Sequence, residues 1–144
     1  MIVIDTSVAL KWVHIEKEKD VEAANSLLTN HLSEIEKIIV PDLFFYEATN
    51  ALTTKTELPQ QATIKLIKKI YGYNLNVYQP NLDDLLQTSK LAKKHKTSVY
   101  DMLYAVVAKK HKTTLITADE KFIKKTKFKF VKHIKEVEIG SRAN

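Results

Sequence analysis

Short runs of strand formers alternate with longer helix-periodic stretches along this 144-residue chain. The first run, Ile2-Val3-Ile4, ends abruptly in a carboxylate and two hydroxyls, Asp5-Thr6-Ser7. Ile38 to Val40, Leu75 to Tyr78, Thr114 to Thr117 and Phe128 to Val131 repeat the pattern of a brief apolar run bounded by turn residues. Between them lie helix candidates: Ser7 to about His14, Val21 to about Leu32, Leu43 to about Thr54, Gln60 to Tyr71, Leu82 to His95, Val99 to His111 and Glu120 to Lys125. Asp20, Asp42, Asn81 and Ser98 stand where helix caps are expected, and Pro59 suits a helix start. Parallel strands need long crossovers, so this alternation predicts a parallel sheet covered by helices on both faces. Glu16 to Asp20 reads as a solvated charged link, and the stretch from His133 to Asn144 shows no clear order. No internal repeat or composition break marks a second domain, so residues 1–144 are expected to form one.

The chain has no cysteine, which excludes disulfides, thiolate metal sites and cysteine nucleophiles and fits a reducing compartment. No apolar run approaches the roughly 20 residues of a membrane span. The start of the chain lacks the basic and apolar regions of a signal peptide. The expected setting is therefore cytoplasmic, with no membrane partner. A formal net charge of +6 suits either a lysine-rich solvated surface or a polyanionic partner.

Four acids stand out. Asp5 and Asp119 each lie just past a short apolar strand and just before a helix. Right-handed crossovers bring such strand ends to one edge of a parallel sheet. Either could simply cap its helix, a role worth about 1 kcal/mol. Asp101 lies in Val99-Tyr100-Asp101-Met102-Leu103-Tyr104-Ala105, a helix apolar nearly all round and so expected to be central. Its spacing from Ser98 also fits a capping box with Asp in place of Glu. Glu47, with Asn50 three residues on, is the lone acid in an aromatic-rich helix and has no capping role; its bland alternative is a solvent-facing side chain. Hard oxygen donors without cysteine or a paired-histidine motif suit Mg²⁺ or Mn²⁺. Such ions activate water and brace the oxygens of a phosphodiester.

These segments resemble the motifs of the PIN-domain ribonucleases, and most of all the VapC toxins of VapBC toxin–antitoxin pairs. The matching stretches are Ile2 to Val8 with Lys11-Trp12, Pro41-Asp42 through Glu47 and Asn50-Ala51-Leu52, Ser98 to Tyr104, and Thr117 to Phe122. The resemblance implies a three-layer α/β/α sandwich with a mostly parallel five-stranded sheet. It makes Asp5, Glu47, Asp101 and Asp119 the catalytic and metal-holding acids, with Thr6 or Ser7 supporting Asp5. Asn50 and Thr117 would orient carboxylates. It further implies a divalent-metal-dependent endoribonuclease using Mg²⁺ or Mn²⁺, an RNA substrate, a cognate VapB-like antitoxin, a homodimer, and operator DNA reached only through the antitoxin. Lys11 and Lys121 are candidate phosphate contacts, although lysines on exposed helices are more often solvated. Trp12 suits the core or a dimer surface better than base stacking.

Other readings compete. A PIN-like RNA-processing nuclease outside a toxin–antitoxin pair would carry the same acids. A non-catalytic RNA- or protein-binding module would use them as caps and tolerate loss of Glu47. A phosphoacceptor receiver would need an acidic pair after the first strand, where Thr6 and Ser7 stand. A haloacid-dehalogenase-type phosphatase would need Asp at the position of Ser7.

Overall fold

The computed structural model of the protein describes residues 1–13 and 18–139. His14, at the end of the first expected helix, Glu16 and Lys17 of the charged link, and residues 140–144 lie outside the described residues. Five parallel strands form one sheet in the order β3-β2-β1-β4-β5. They are β1 (Ile2–Ile4), β2 (Ile38–Pro41), β3 (Asn76–Tyr78), β4 (Leu115–Thr117) and β5 (Val131–His133). Val3 pairs with Ile39 on one side and Leu115 on the other, so β1 is the central strand. Its Val3 and Ile4, with Ile38, Val40 and Leu115, are fully or almost fully buried. A strand covered on both faces has no polar side to present, which is why these runs are continuously apolar.

Helices α1 (Thr6–Ala9), α2 (Val21–Leu32), α3 (Leu43–Thr54) and α4 (Gln60–Gly72) fill the connections from β1 through β2 to β3. Helices α5 (Leu82–His95) and α6 (Val99–Lys110) carry the chain back across the sheet, and α7 (Glu120–Thr126) joins β4 to β5. The path reverses direction after β3. With right-handed crossovers, the first four helices and the last three therefore cover opposite faces. This is the expected α/β/α sandwich. Helix α6 packs on β1, β2 and β4, and every residue from Met102 to Ala108 is buried. It is the central helix that its apolar sequence predicts.

The local differences have physical causes. The expected first helix is a short α-helical stretch continued by a 3-10 turn over Leu10–Val13. Asn81 and Ser98 cap α5 and α6, accepting from the backbone N–H of Asp84 and Asp101. Asp20 and Asp42 make no side-chain cap: Asp20 is left-handed (φ 58°) and Asp42 is itself helical (φ −59°), so neither has the extended backbone that aims a cap. The last strand begins at Val131 rather than Phe128. Lys127 ends α7 in a left-handed conformation (φ 54°), and Phe128 and Phe130 stack on each other with centroids 5.1 Å apart. Part of the stretch expected to lack order is ordered: His133 completes β5 and Ile134 is fully buried at the start of a 3-10 turn. Among the described residues no helix is long and apolar enough to cross a membrane.

Candidate active site

Strand order reverses between β1 and β4. In open parallel sheets the crevice beyond the strand ends at such a point is where ligands bind. Asp5 follows the end of β1; Thr117 ends β4, and Ala118-Asp119 follow it. The two loops are stitched together through hydroxyls. Ser7 Oγ donates to Asp5 Oδ1 (2.5 Å) and accepts from the Ala118 N–H (3.1 Å). Thr117 Oγ1 donates to Asp5 Oδ2 (2.5 Å) and accepts from the Asp119 N–H (3.0 Å). Two successive backbone N–H groups of the β4–α7 turn thus orient the two hydroxyls, and each hydroxyl holds one oxygen of Asp5.

Helix α3 brings Glu47 to the same place. Its Oε1 accepts from the Tyr104 hydroxyl at 2.6 Å and the Thr6 hydroxyl at 3.0 Å, and those two hydroxyls lie 3.0 Å apart. Helix α6 contributes Asp101 from its open first turn. The Asp101 N–H donates to Ser98 Oγ, but the return half of the expected capping box is not formed, which leaves the carboxylate for the cleft. Asp119 caps α7 by accepting from the Phe122 N–H at Oδ1 (3.1 Å). Asp5, Glu47, Asp101 and Asp119 all line one open cleft of about 280 Å³. Asn50 lines it as well, but its side chain meets Thr54 rather than a carboxylate.

The electrostatics follow from crowding these charges. Burial pushes the Asp5 carboxyl up to about 6, opposed by the Ser7 and Thr117 hydroxyls and reinforced by the charge of Asp101. Asp101 is also raised, first by withdrawal of its carboxyl from solvent and then by the charges of Asp119 and Glu47, against the pull of Ser98 and Lys125. Burial, followed by the charge of Glu47, drives the Tyr104 phenol far above its ordinary value of 10, so it remains a donor. Like charges held together in this way favour a cation between them.

Among the described residues no three carboxylates or imidazoles converge as a ready-made cage. The donor set nevertheless fits Mg²⁺ or Mn²⁺: all its ligating groups are hard oxygens, and Mg²⁺ commonly takes one or two carboxylates and keeps its waters. Asp101 feels the charges of Asp119 and Glu47, and Asp5 feels that of Asp101, so the four acids form one electrostatic group.

The sequence reading left two residues of the cleft unremarked. Tyr104 passes as one more apolar member of α6, although its position three residues after Asp101 puts a hydroxyl on nearly the same helix face. Lys55 is the one basic side chain among the described residues lining the cleft. It lies two helical turns beyond Glu47, at the end of α3. Lys11, by contrast, is buried and paired with Glu18 at 2.8 Å, so it is not a phosphate contact on a solvated face. Trp12 is buried in the core with its indole N–H donating to the Ala24 carbonyl. Lys121 is exposed.

Residues 2–128 match the family model of the PIN domain, and the chain belongs to that family of nucleases. No curated protein matches the chain. Solved structures share its fold at low identity. The PAE2754 protein of Pyrobaculum aerophilum is 20% identical with a TM-score of 0.70, covering 93% of this chain and 90% of its own. The VapC20 toxin of Mycobacterium tuberculosis is 16% identical at 0.65, covering 85% and 92%. FitAcB of Neisseria gonorrhoeae is 16% identical at 0.62, covering 94% and 99%.

Proposed function

We propose that this chain is a divalent-metal-dependent endoribonuclease and the toxin of a type II toxin–antitoxin pair. The observation that carries the reading is the meeting of Asp5, Glu47, Asp101 and Asp119, from four separate segments, around one open cleft at the switch point of the sheet. Caps alone do not account for this. Glu47 caps nothing, and Asp101 leaves its capping box half made.

A bound Mg²⁺ or Mn²⁺ supplies the positive charge that admits a phosphodiester to an acidic cleft, and Lewis acidity at the scissile phosphate. Asp5 and Asp101 are its principal holders, with Glu47 and Asp119 completing the set. Ser7 and Thr117 fix the direction of Asp5, so its orientation costs little when the ion and substrate arrive. Asp119 keeps Oδ2 free of the hydrogen bond that occupies Oδ1. Lys55, on the rim, suits a phosphate flanking the one that is cut. An open cleft on a chain of net charge +6 fits an RNA strand laid across the edge of the sheet.

The toxin reading draws support from the fold shared with VapC20, a toxin that cleaves the sarcin–ricin loop. It carries with it a VapB-like antitoxin closing the cleft, a second copy of this chain in a homodimer, and operator DNA contacted through the antitoxin alone.

The test is an RNA cleavage assay with Mg²⁺, Mn²⁺ or EDTA, comparing the wild-type chain with Asp5→Asn. Cleavage is expected with either metal, none in EDTA, and a loss of at least 100-fold in the folded variant. Equal cleavage by folded Asp5→Asn, or undiminished cleavage in EDTA, overturns the proposal.

A further inference from the structure

We infer that Tyr104, together with Thr6, is a positioning residue for Glu47: the two hydroxyls lock Oε1 and thereby commit Oε2 as the one oxygen Glu47 offers to a divalent cation. This rests on the metal-dependent reading of the site. The geometry is a closed triangle of Glu47 Oε1, Tyr104 OH and Thr6 Oγ1 with edges of 2.6, 3.0 and 3.0 Å. Two of its corners are rigidly placed. Tyr104 is 1% exposed in the fully covered stretch of α6, and Thr6 is buried in the first turn of α1. Glu47 therefore joins three helices at one oxygen, while its own helix α3 carries it from β2.

A glutamate has three side-chain torsions to settle, one more than aspartate, and an unrestrained one loses that freedom each time it binds an ion. Pinning Oε1 removes the loss in advance. It also disfavours bidentate ligation by Glu47, because Oε1 already accepts from two hydroxyls. The phenol lies in the wall of the cleft with its hydroxyl turned to Glu47 and Thr6, so its effect on a bound ion runs through Glu47. Asp5 is supported differently, by one hydroxyl on each oxygen. The two acids thus present different faces: Asp5 has both oxygens partly engaged, and Glu47 has one fully engaged and one open.

The experiment is Mn²⁺ titration of the full chain followed by electron paramagnetic resonance of the free ion, with circular dichroism melts as the folding control. The variants are Tyr104→Phe, Thr6→Val, Glu47→Gln and the double variant Tyr104→Phe/Glu47→Gln. Tyr104→Phe is expected to stay folded and to weaken Mn²⁺ binding about 10-fold, the usual scale for losing an outer-shell partner. In the Glu47→Gln background the same change is expected to have no further effect. RNA cleavage at saturating metal is expected to show a lower kcat with KM for RNA unchanged. Wild-type Mn²⁺ affinity in folded Tyr104→Phe, or a full additional 10-fold loss in the double variant, overturns the inference. If Tyr104→Phe does not fold, Thr6→Val carries the test, and unchanged affinity there overturns it equally. Wild-type chain that binds Mn²⁺ but cuts no RNA counts against the proposed function and leaves this inference standing. Wild-type chain that binds no Mn²⁺ overturns both.

Discussion

Burial holds the Asp5 carboxyl at about 6, against an ordinary value of 3.8. Between those values the folded chain binds the proton more tightly than the unfolded chain. Stability therefore falls as pH rises through that window, and the deficit persists at neutral pH. Asp5→Asn removes the charge and keeps the shape. In EDTA at pH 7 it is expected to be more stable than wild type by about 3 kcal/mol, with the difference gone below pH 4. Paired thermal melts at the two pH values measure this, and equal stability at pH 7 would show that the site stores no such penalty. At sub-saturating Mn²⁺, cleavage is expected to fall as pH drops through about 6, because protonated Asp5 is no ligand; a flat rate from pH 7 to pH 5 contradicts that. Asp5, Thr117 and Ser7 were legible in the sequence because short strands leave little freedom in where their last residues lie. Tyr104 and the true partner of Thr6 were not, because a hydroxyl's contact depends on how α6 and α3 are rotated against each other. The expected role of Asn50 met the same obstacle: its side chain turns along its own helix to Thr54.

Helix α2 is tied to two other elements by one side chain. His31 is 2% exposed, and its Nδ1 accepts from the Ile38 N–H at 3.0 Å. An accepting Nδ1 leaves the proton on Nε2, which donates toward the carbonyls of Tyr73 (3.1 Å) and Asn74 (3.2 Å). The start of β2 and the turn before β3 are thereby joined through α2. His31→Leu keeps an apolar body but strands these buried backbone groups. It is expected to cost about 1–3 kcal/mol in urea denaturation with the m-value unchanged; an unchanged midpoint would mean that the join adds nothing. No spacing rule reveals such a histidine, since its partners lie on other elements. Strand and helix order, in contrast, was readable throughout. The misplaced start of β5 shows where pattern reading stops: Phe128 and Phe130 alternate like a strand but are taken up by aromatic stacking. The two aspartates that cap nothing show the same limit, because capping is decided by backbone angles rather than residue type.

For the whole molecule, the proposed metal would be linked to folding, because it would relieve the crowding of the carboxylates. Mn²⁺ at 100 times its dissociation constant is expected to stabilise the wild-type chain by about 2.7 kcal/mol. A rise in melting temperature on adding Mn²⁺, absent in Asp5→Asn, is the measurement; an equal rise in both would place the ion elsewhere. The central place of β1 in the sheet has a further consequence in time. Asp5 leaves the ribosome 112 residues ahead of Thr117, which holds its Oδ2. At a synthesis rate of ~5–20 residues per second, that interval is on the order of ten seconds. Through all of it β1 lacks β4 on one flank, and the carboxylates remain scattered along an unfinished chain. If the chain cuts RNA as proposed, a nascent copy is inert toward the RNA around it, including the message being read, until its last acid has emerged and β4 has joined the sheet.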